Sequence, residues 1–238
     1  MSVILIMGSG PNVLDACAWD SNWFDHILAI NNAHGVRDDW DSLIHPEDFP
    51  PDRMPMTISS GQSIVTAEQY VPAQNQFGGF IYAGGTMAFT AGYWALAHHR
   101  PTVIGFIGCD MTYANSGNTH FYGTGTADPL RDDITLQSLE AKSSRLEITA
   151  AAQGCALRNL STEPSRLTFP RASPSDLNSV TARHFNPSRI EAAQNKEAEL
   201  AYFVQSGRYW EACAEFDPAE LRALDTLWLA AGQASRDT

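Results

Sequence analysis

Positive charge is scarce in this sequence: 15 Lys and Arg face 27 Asp and Glu, a formal net charge of −12 over 238 residues. Binding to nucleic acid needs clustered Lys and Arg to neutralise phosphates, so the balance argues against that class and against an anionic membrane surface. It leaves room for a small anionic ligand, which backbone N–H groups can hold locally. Cysteine is scarce too. Cys17, Cys109, Cys155 and Cys213 lie far apart with no C-x-x-C pair, which disfavours a metal cluster or redox dithiol and predicts free, buried thiols. No run approaches the ~18 apolar residues of a membrane span. Met1–Met7 is apolar but short and has no basic n-region, so it reads as a first strand and not as a signal peptide, with a cytoplasmic protein expected. P-loop and G-x-S-x-G signatures are missing. Gly8-Ser9-Gly10-Pro11-Asn12 does not continue into G-x-G-x-x-G, because residue 13 is Val.

What is present is an ordinary globular composition, 44% apolar. The length fits one domain of roughly 150–200 residues plus an appendage, and such a chain buries about 70% of its unfolded surface without a disulfide or metal staple. Short, continuous apolar runs predict strands buried on both faces at Val3–Met7, His26–Ile30, Ser42–His45, Thr102–Ile107 and Ala156–Leu160. Asn12 is expected to cap a helix with Val13, Leu14, Cys17 and Ala18 on its apolar side. Residues 49–80, interrupted by Pro50, Pro51, Pro55, Pro72, Gly61, Gly78 and Gly79, read as irregular, with strands near Ser63–Thr66 and Gly79–Tyr82. Gly84-Gly85-Thr86 opens a helix running through Ala97, and Asp133–Gln153 is an amphipathic helix closed by Gly154.

Strand, turn and helix thus alternate over residues 1–163. The expected fold is α/β: a Rossmann-like, mostly parallel sheet with helices on both faces. Residues 164–187, with Pro164, Pro170, Pro174 and Pro187, read as a linker to a helical appendage at 188–238. Its helices span 188–206 and 217–232, the second with an apolar stripe of Leu221, Leu224, Leu227, Trp228 and Ala231. They are expected to pack on the main domain or to join copies of the chain as a homo-oligomer.

The candidate site residues all follow predicted strands or open predicted helices. In parallel sheets that is where ligands bind. Gly8, Ser9, Gly10 and Asn12 lead into a helix N-terminus, where free N–H donors and the dipole suit an anion; a tight turn with no ligand is the competing reading. Asn31 and Asn32 offer uncharged donors and acceptors, or simply a turn. Gly84, Gly85 and Thr86 could receive an anion or serve packing. His98 and His99 favour a helix C-terminus and read as structural. Gly108 and Asp110 end a central strand, with ligand contact and loop capping as alternatives for the carboxylate. The long polar loop 111–131 supplies Tyr113, His120 and Tyr122, a candidate base with hydroxyl donors. His45, Glu47 and Asp48 could form an acid–base group, but no second His stands at zinc-ligand spacing.

Taken in order, four stretches resemble the bacterial sialyltransferases that act on lipooligosaccharide and the broader sialyltransferase-like glycosyltransferases. They are Gly8-Ser9-Gly10-Pro11-Asn12 (G-N-G-P-S in the family), Asn31, Gly84-Gly85-Thr86 with the strand ending Gly108-Cys109-Asp110 (S-G-I-D), and Asn118–Gly123 (S-H-Y-x-G). The resemblance covers roughly residues 3–162. It implies a cytidine-monophosphate sugar as donor, a glycan acceptor and metal-independent transfer with no required cofactor. Ser9, Asn12, Asn31 and the Gly84–Thr86 turn would contact the nucleotide. Asp110 would sit near ribose or cytosine, and His120 would deprotonate the acceptor hydroxyl. The chain departs from the family at Ser9, at Tyr113 (one position late) and in Ile81-Tyr82-Ala83, which lacks a basic residue. Two other readings stand beside it. One is a Mg²⁺-dependent diphosphokinase of the pterin pyrophosphokinase-like type, with Glu47, Asp48 and Asp110 as ligands. The other is a non-catalytic nucleotide-binding or assembly protein.

Overall fold

The computed structural model describes residues 1–113 and 117–233; the part of the loop at 114–116 and the end of the appendage at 234–238 lie outside the described residues. Six strands form one parallel sheet: β1 (Val3–Met7), β2 (His26–Ile30), β3 (Ser42–Ile44), β4 (Ser63–Val65), β5 (Val103–Ile107) and β6 (Ala156–Asn159). Their order is β4-β3-β2-β1-β5-β6. The architecture is the α/β, Rossmann-like one that the apolar runs predict. β1 is buried at every position because both of its faces are covered. Ile4 and Ile6 point into one core cluster, and Val3, Leu5 and Met7 into the other.

Among the described residues the α-helices are α1 (Ala67–Asn75), α2 (Phe80–Ala83), α3 (Met87–His99), α4 (Leu139–Ala152), α5 (Pro187–Leu200) and α6 (Pro218–Gly232). Helices α1, α3 and α4 cover one face of the sheet. Short 3-10 segments, including Pro11–Ala18 and Pro174–Ser179, cover the other. The chain steps outward from β1 to β4, crosses back through α1–α3, and resumes with β5 on the other side of β1. The direction of winding therefore reverses between β1 and β5, and a crevice opens beyond their carboxyl ends.

Helices α5 and α6 form a further layer on α4. The α6 stripe of Leu221, Leu224, Trp228 and Ala231 is buried inside the chain against α4 and α5. Two ion pairs reinforce that layer. Lys142 Nζ meets Asp225 Oδ1 at 2.7 Å with both groups buried. Arg145 clasps both Glu197 carboxylate oxygens and also donates to Tyr93 Oη and the Phe77 carbonyl. Trp228 Nε1 donates to the same Glu197. Residues 164–187 are packed as well: Leu167 and Phe169 lie in the core on one side of the sheet and Leu177 on the other.

Several local expectations are corrected. The segment after Gly10 is a 3-10 helix with Gly10 at its N-cap. Asn12 does not cap it, because its side chain reaches across to Asp110 and Ser161. Only Val13 and Ala16 of that segment are buried; Leu14, Cys17 and Ala18 face solvent. Of the four thiols, all free, Cys109 and Cys155 are buried and Cys17 is exposed. The strand expected near Gly79–Tyr82 is the short helix α2, set between left-handed glycines at 79 and 84. Within the stretch read as irregular lies α1. Its signal was Thr66-x-x-Gln69, where the Gln69 side chain accepts the Thr66 N–H at 2.7 Å. Pro72 in its middle masked it. Helix α4 begins at Leu139, capped by Ser138. Helix α5 ends at Leu200, where Ala201 turns left-handed.

Candidate functional site

The turns after β1 and β5 lock together. Gly8 N–H donates to the Ile107 carbonyl and Gly10 N–H to the Gly108 carbonyl, both at 2.8 Å. A Cβ on Gly8 would stand 2.4 Å from Gly108 O, and one on Gly108 would stand 2.8 Å from Gly8 O. Glycine is required here because two backbones touch. Just beyond, the ends of β5, β6 and the first turn are joined through a buried carboxylate. Asp110 Oδ2 accepts from Asn12 Nδ2 at 2.7 Å and Oδ1 from Asn159 Nδ2 at 3.3 Å. Asn12 also donates to Ser161 Oγ.

Around this junction lies an open cavity of about 1590 Å³ at the carboxyl edge of the sheet. Gly8, Ser9, Gly10, Asn12, Asn31, Gly108, Asp110, Tyr113, His120 and Tyr122 all line it. Gly85 and Thr86 line it as well. Asn32 and Gly84 do not border it. Asn32 lies in a 3-10 turn, and Gly84 packs against Lys142 and Phe89. His45 is likewise off the cavity, with Nδ1–H donating to the Pro46 carbonyl and its ring beside Phe49. Two non-glycine residues on the wall are left-handed: Asn31 (φ 53) and Met111 (φ 53). Such strain persists only where the surroundings impose it, and it concentrates at working sites. Asn31 Oδ1 is buried with no hydrogen-bond partner.

Helix α3 aims its N-terminus at the cavity through Thr86, Met87 and Ala88. The first-turn amides of Met87 and Ala88 precede the intrahelical ladder and are unsatisfied donors, with a partial positive charge. The turn leading into α3 is clamped. Gly85 N–H donates to Thr135 Oγ1 at 2.9 Å, and its carbonyl accepts from Arg131 at 2.8 Å. So Gly85 itself offers no free amide. Arg131 is held in turn by Asp133 and donates to Tyr209 Oη, whose own proton goes to Asp133 at 2.6 Å. Burial, then the bond to Asp133, pushes the Tyr209 phenol up to about 12. Burial opposes ionisation of Asp133, yet hydrogen bonds from Tyr209 and Thr135 hold its carboxyl below the ordinary range.

The polar loop folds back on the first turn. Phe121 N–H donates to the Ser9 carbonyl at 3.1 Å, and His120 and Gly123 exchange two backbone bonds around a tight turn. His120 is buried, stacked on Tyr122 (ring centroids 5.0 Å apart) and beside Tyr113 (5.8 Å). The Thr119 hydroxyl lies 2.9 Å from His120 Nδ1 and 3.1 Å from the Gly125 carbonyl, and it accepts Gly125 N–H at 2.9 Å. Its single proton can serve the carbonyl or the ring; when it serves the carbonyl, Nδ1–H donates to the hydroxyl and Nε2 keeps its lone pair. Burial lowers the His120 pKa below 6.5, so the ring is neutral near pH 7. Burial pushes the Tyr113 phenol up and keeps it protonated.

Sequence reasoning missed three cations on the wall, Arg53, Arg131 and Arg208, and the aromatics Tyr70, Phe80, Tyr209 and Trp210. Trp210 and Arg208 come from the appendage, far away in the chain, and no local pattern marks them. The carboxylates proposed as magnesium ligands are engaged elsewhere or exposed. Asp110 gives both oxygens to Asn amides, and Glu47 faces Arg208 at 3.5 Å. Among the described residues no group of three or more His, Cys, Asp or Glu is placed to share an ion. No described helix is long and apolar enough to cross a membrane. Comparison with protein-family models, with curated proteins and with solved structures finds no match to this chain.

Proposed function

We propose that this protein is a glycosyltransferase-like enzyme that moves a sugar from a nucleotide-sugar donor, a cytidine-monophosphate sugar by resemblance, to an acceptor hydroxyl. The observation that carries the reading is the convergence on one cavity of the β1 and β5 turns, the α3 N-terminus and a buried histidine. Each supplies a part of the chemistry. The amides of Met87 and Ala88 suit the donor phosphate. Arg53, which also lines the cavity, adds a cation for the charge that grows on the leaving phosphate. Asn31 Oδ1 is an acceptor awaiting a donor, such as a ribose hydroxyl or a base amine.

In the reaction the acceptor oxygen attacks the anomeric carbon and forms the new glycosidic bond. The bond from that carbon to the phosphate oxygen breaks, and the electron pair leaves with the nucleotide. The acceptor proton passes to His120 Nε2, while Nδ1–H stays on Thr119. A thermal-shift screen with CMP, UDP, GDP and ATP, each with and without Mg²⁺, tests the donor class. Ligand at a hundred times its dissociation constant adds about 2.7 kcal/mol. Stabilisation by CMP independent of Mg²⁺ supports the reading, and stabilisation by ATP that needs Mg²⁺ turns it toward diphosphate transfer. His120→Ala should keep nucleotide binding and lose roughly 10²–10⁴ in transfer rate. Undiminished transfer by that variant removes the histidine from the role.

A further inference from the structure

The wall of the cavity contributed by the C-terminal appendage is built to present two side chains. Tyr209 is buried, stacked on Phe80 and fixed at its hydroxyl by Asp133 and Arg131. Gly207, left-handed at φ 77, sits where a Cβ would meet Phe80 and Val71 at 3.0–3.1 Å. Asn75 Nδ2 on α1 donates to the Gln205 carbonyl at 2.8 Å. Between and beyond these anchors, Arg208 and Trp210 stay open on the cavity, and Trp210 is 58% exposed. An exposed indole on an otherwise pinned segment has unused apolar area at a fixed position. Among the exposed large hydrophobic side chains it and Tyr122 are set apart by lining the cavity.

We propose that Trp210, Arg208 and Glu47 form a subsite for an uncharged pyranose ring, the terminal sugar of the acceptor. This rests on the glycosyl-transfer reading and names its second substrate. The C–H face of a pyranose carries partial positive charge, which suits the electron-rich face of an indole. Its vicinal hydroxyls both donate and accept, so they need a planar acceptor and a planar donor side by side. Glu47 and Arg208, 3.5 Å apart, provide that pair. The charge pattern selects a neutral sugar. Arg208 already faces Glu47 and, at 3.9 Å, Glu211, and Asp48 lines the same wall. A carboxylated ring would bring a further negative charge among these acids.

The test reads the indole directly. In protein carrying ¹⁵N-labelled tryptophan, Trp210→Phe identifies the Trp210 N–H resonance by its loss. Methyl pyranosides, the matching uronates and the open-chain polyol mannitol are then titrated separately. The subsite predicts a saturable shift of that resonance with one or more neutral pyranosides, a weaker response to uronates and none to mannitol. Glu47→Gln should weaken the pyranoside effect by about tenfold. No shift with any pyranoside at tens of millimolar overturns the proposal, and a stronger response to uronates overturns the assignment to an uncharged ring. Free CMP titrated against the same sample reports the donor reading separately. If CMP fails to bind while pyranosides move Trp210, the nucleotide reading falls and the sugar subsite stands.

Discussion

Asp110 is where structural and chemical roles are most easily confused, and replacing it separates them. The carboxylate is 7% exposed and accepts from two primary amides, Asn12 at 2.7 Å and Asn159 at 3.3 Å. Both partners can only donate through those nitrogens. In Asp110→Asn one of the two contacts becomes donor against donor. One buried hydrogen bond is lost and at least one N–H is left unpaired, which costs about 1–3 kcal/mol. For a chain of this size each kcal/mol moves Tm by roughly 2–4 °C. Asp110→Ala leaves both amides without the carboxylate, although Asn12 keeps Ser161 at 2.6 Å, and should cost more than Asp110→Asn. Thermal and urea unfolding followed by circular dichroism measure both variants. If Asp110→Asn is as stable as the parent, the idea that this carboxylate ties together the ends of β1, β5 and β6 is refuted.

Other consequences are equally specific. Lys142→Met strands Asp225 in the interior of the α4–α6 layer, where Oδ2 already lacks a partner, and should cost about 3–5 kcal/mol in urea unfolding. Lys142→Met combined with Asp225→Leu should recover most of that loss; equal damage from the single and double variants would contradict it. At the opposite edge of the sheet the His26 and His99 rings lie tilted with centroids 4.2 Å apart, and burial, then the neighbouring His26 and His98, lowers His99 to about 4. The folded pKa lies below the unfolded one, so the unfolded chain binds more protons between pH 6.5 and 4. This contribution is complete above pH 6.5 and is lost as pH falls toward 4, about 1–2 kcal/mol after allowing for solvent screening. Unfolding at pH 7 and pH 5 should show it, reduced in His99→Gln; a pH-independent difference between variant and parent would count against it.

The sheet was legible because strands buried on both faces write themselves as unbroken apolar runs, as in Val3–Met7 and Val103–Ile107. Turn residues after those runs were legible for the same reason, since the edge of a parallel sheet is where a ligand approaches. Other features depend on tertiary contact. The left-handed Asn31 and its partnerless oxygen exist only once β2 is seated beside β1. Gly84 looks identical to Gly85 in sequence, yet only Gly85 reaches the cavity. Pro72 hides helix α1, and nothing local to Asn12 points to Asp110 or Ser161. Arg208 meets Glu47 across most of the chain, at a separation no local pattern records, and Trp210 lines the same cavity.

If bends from separate parts of the chain hold one phosphorylated ligand at the β1–β5 switch point, as we propose, a titration with CMP followed by amide chemical shifts should register it. The amides of Ser9, Asn31, Met87 and Met111 should then shift together with a single dissociation constant. Shifts confined to one of these turns, or centred instead on the His26–His99 cluster at the other edge of the sheet, would contradict it.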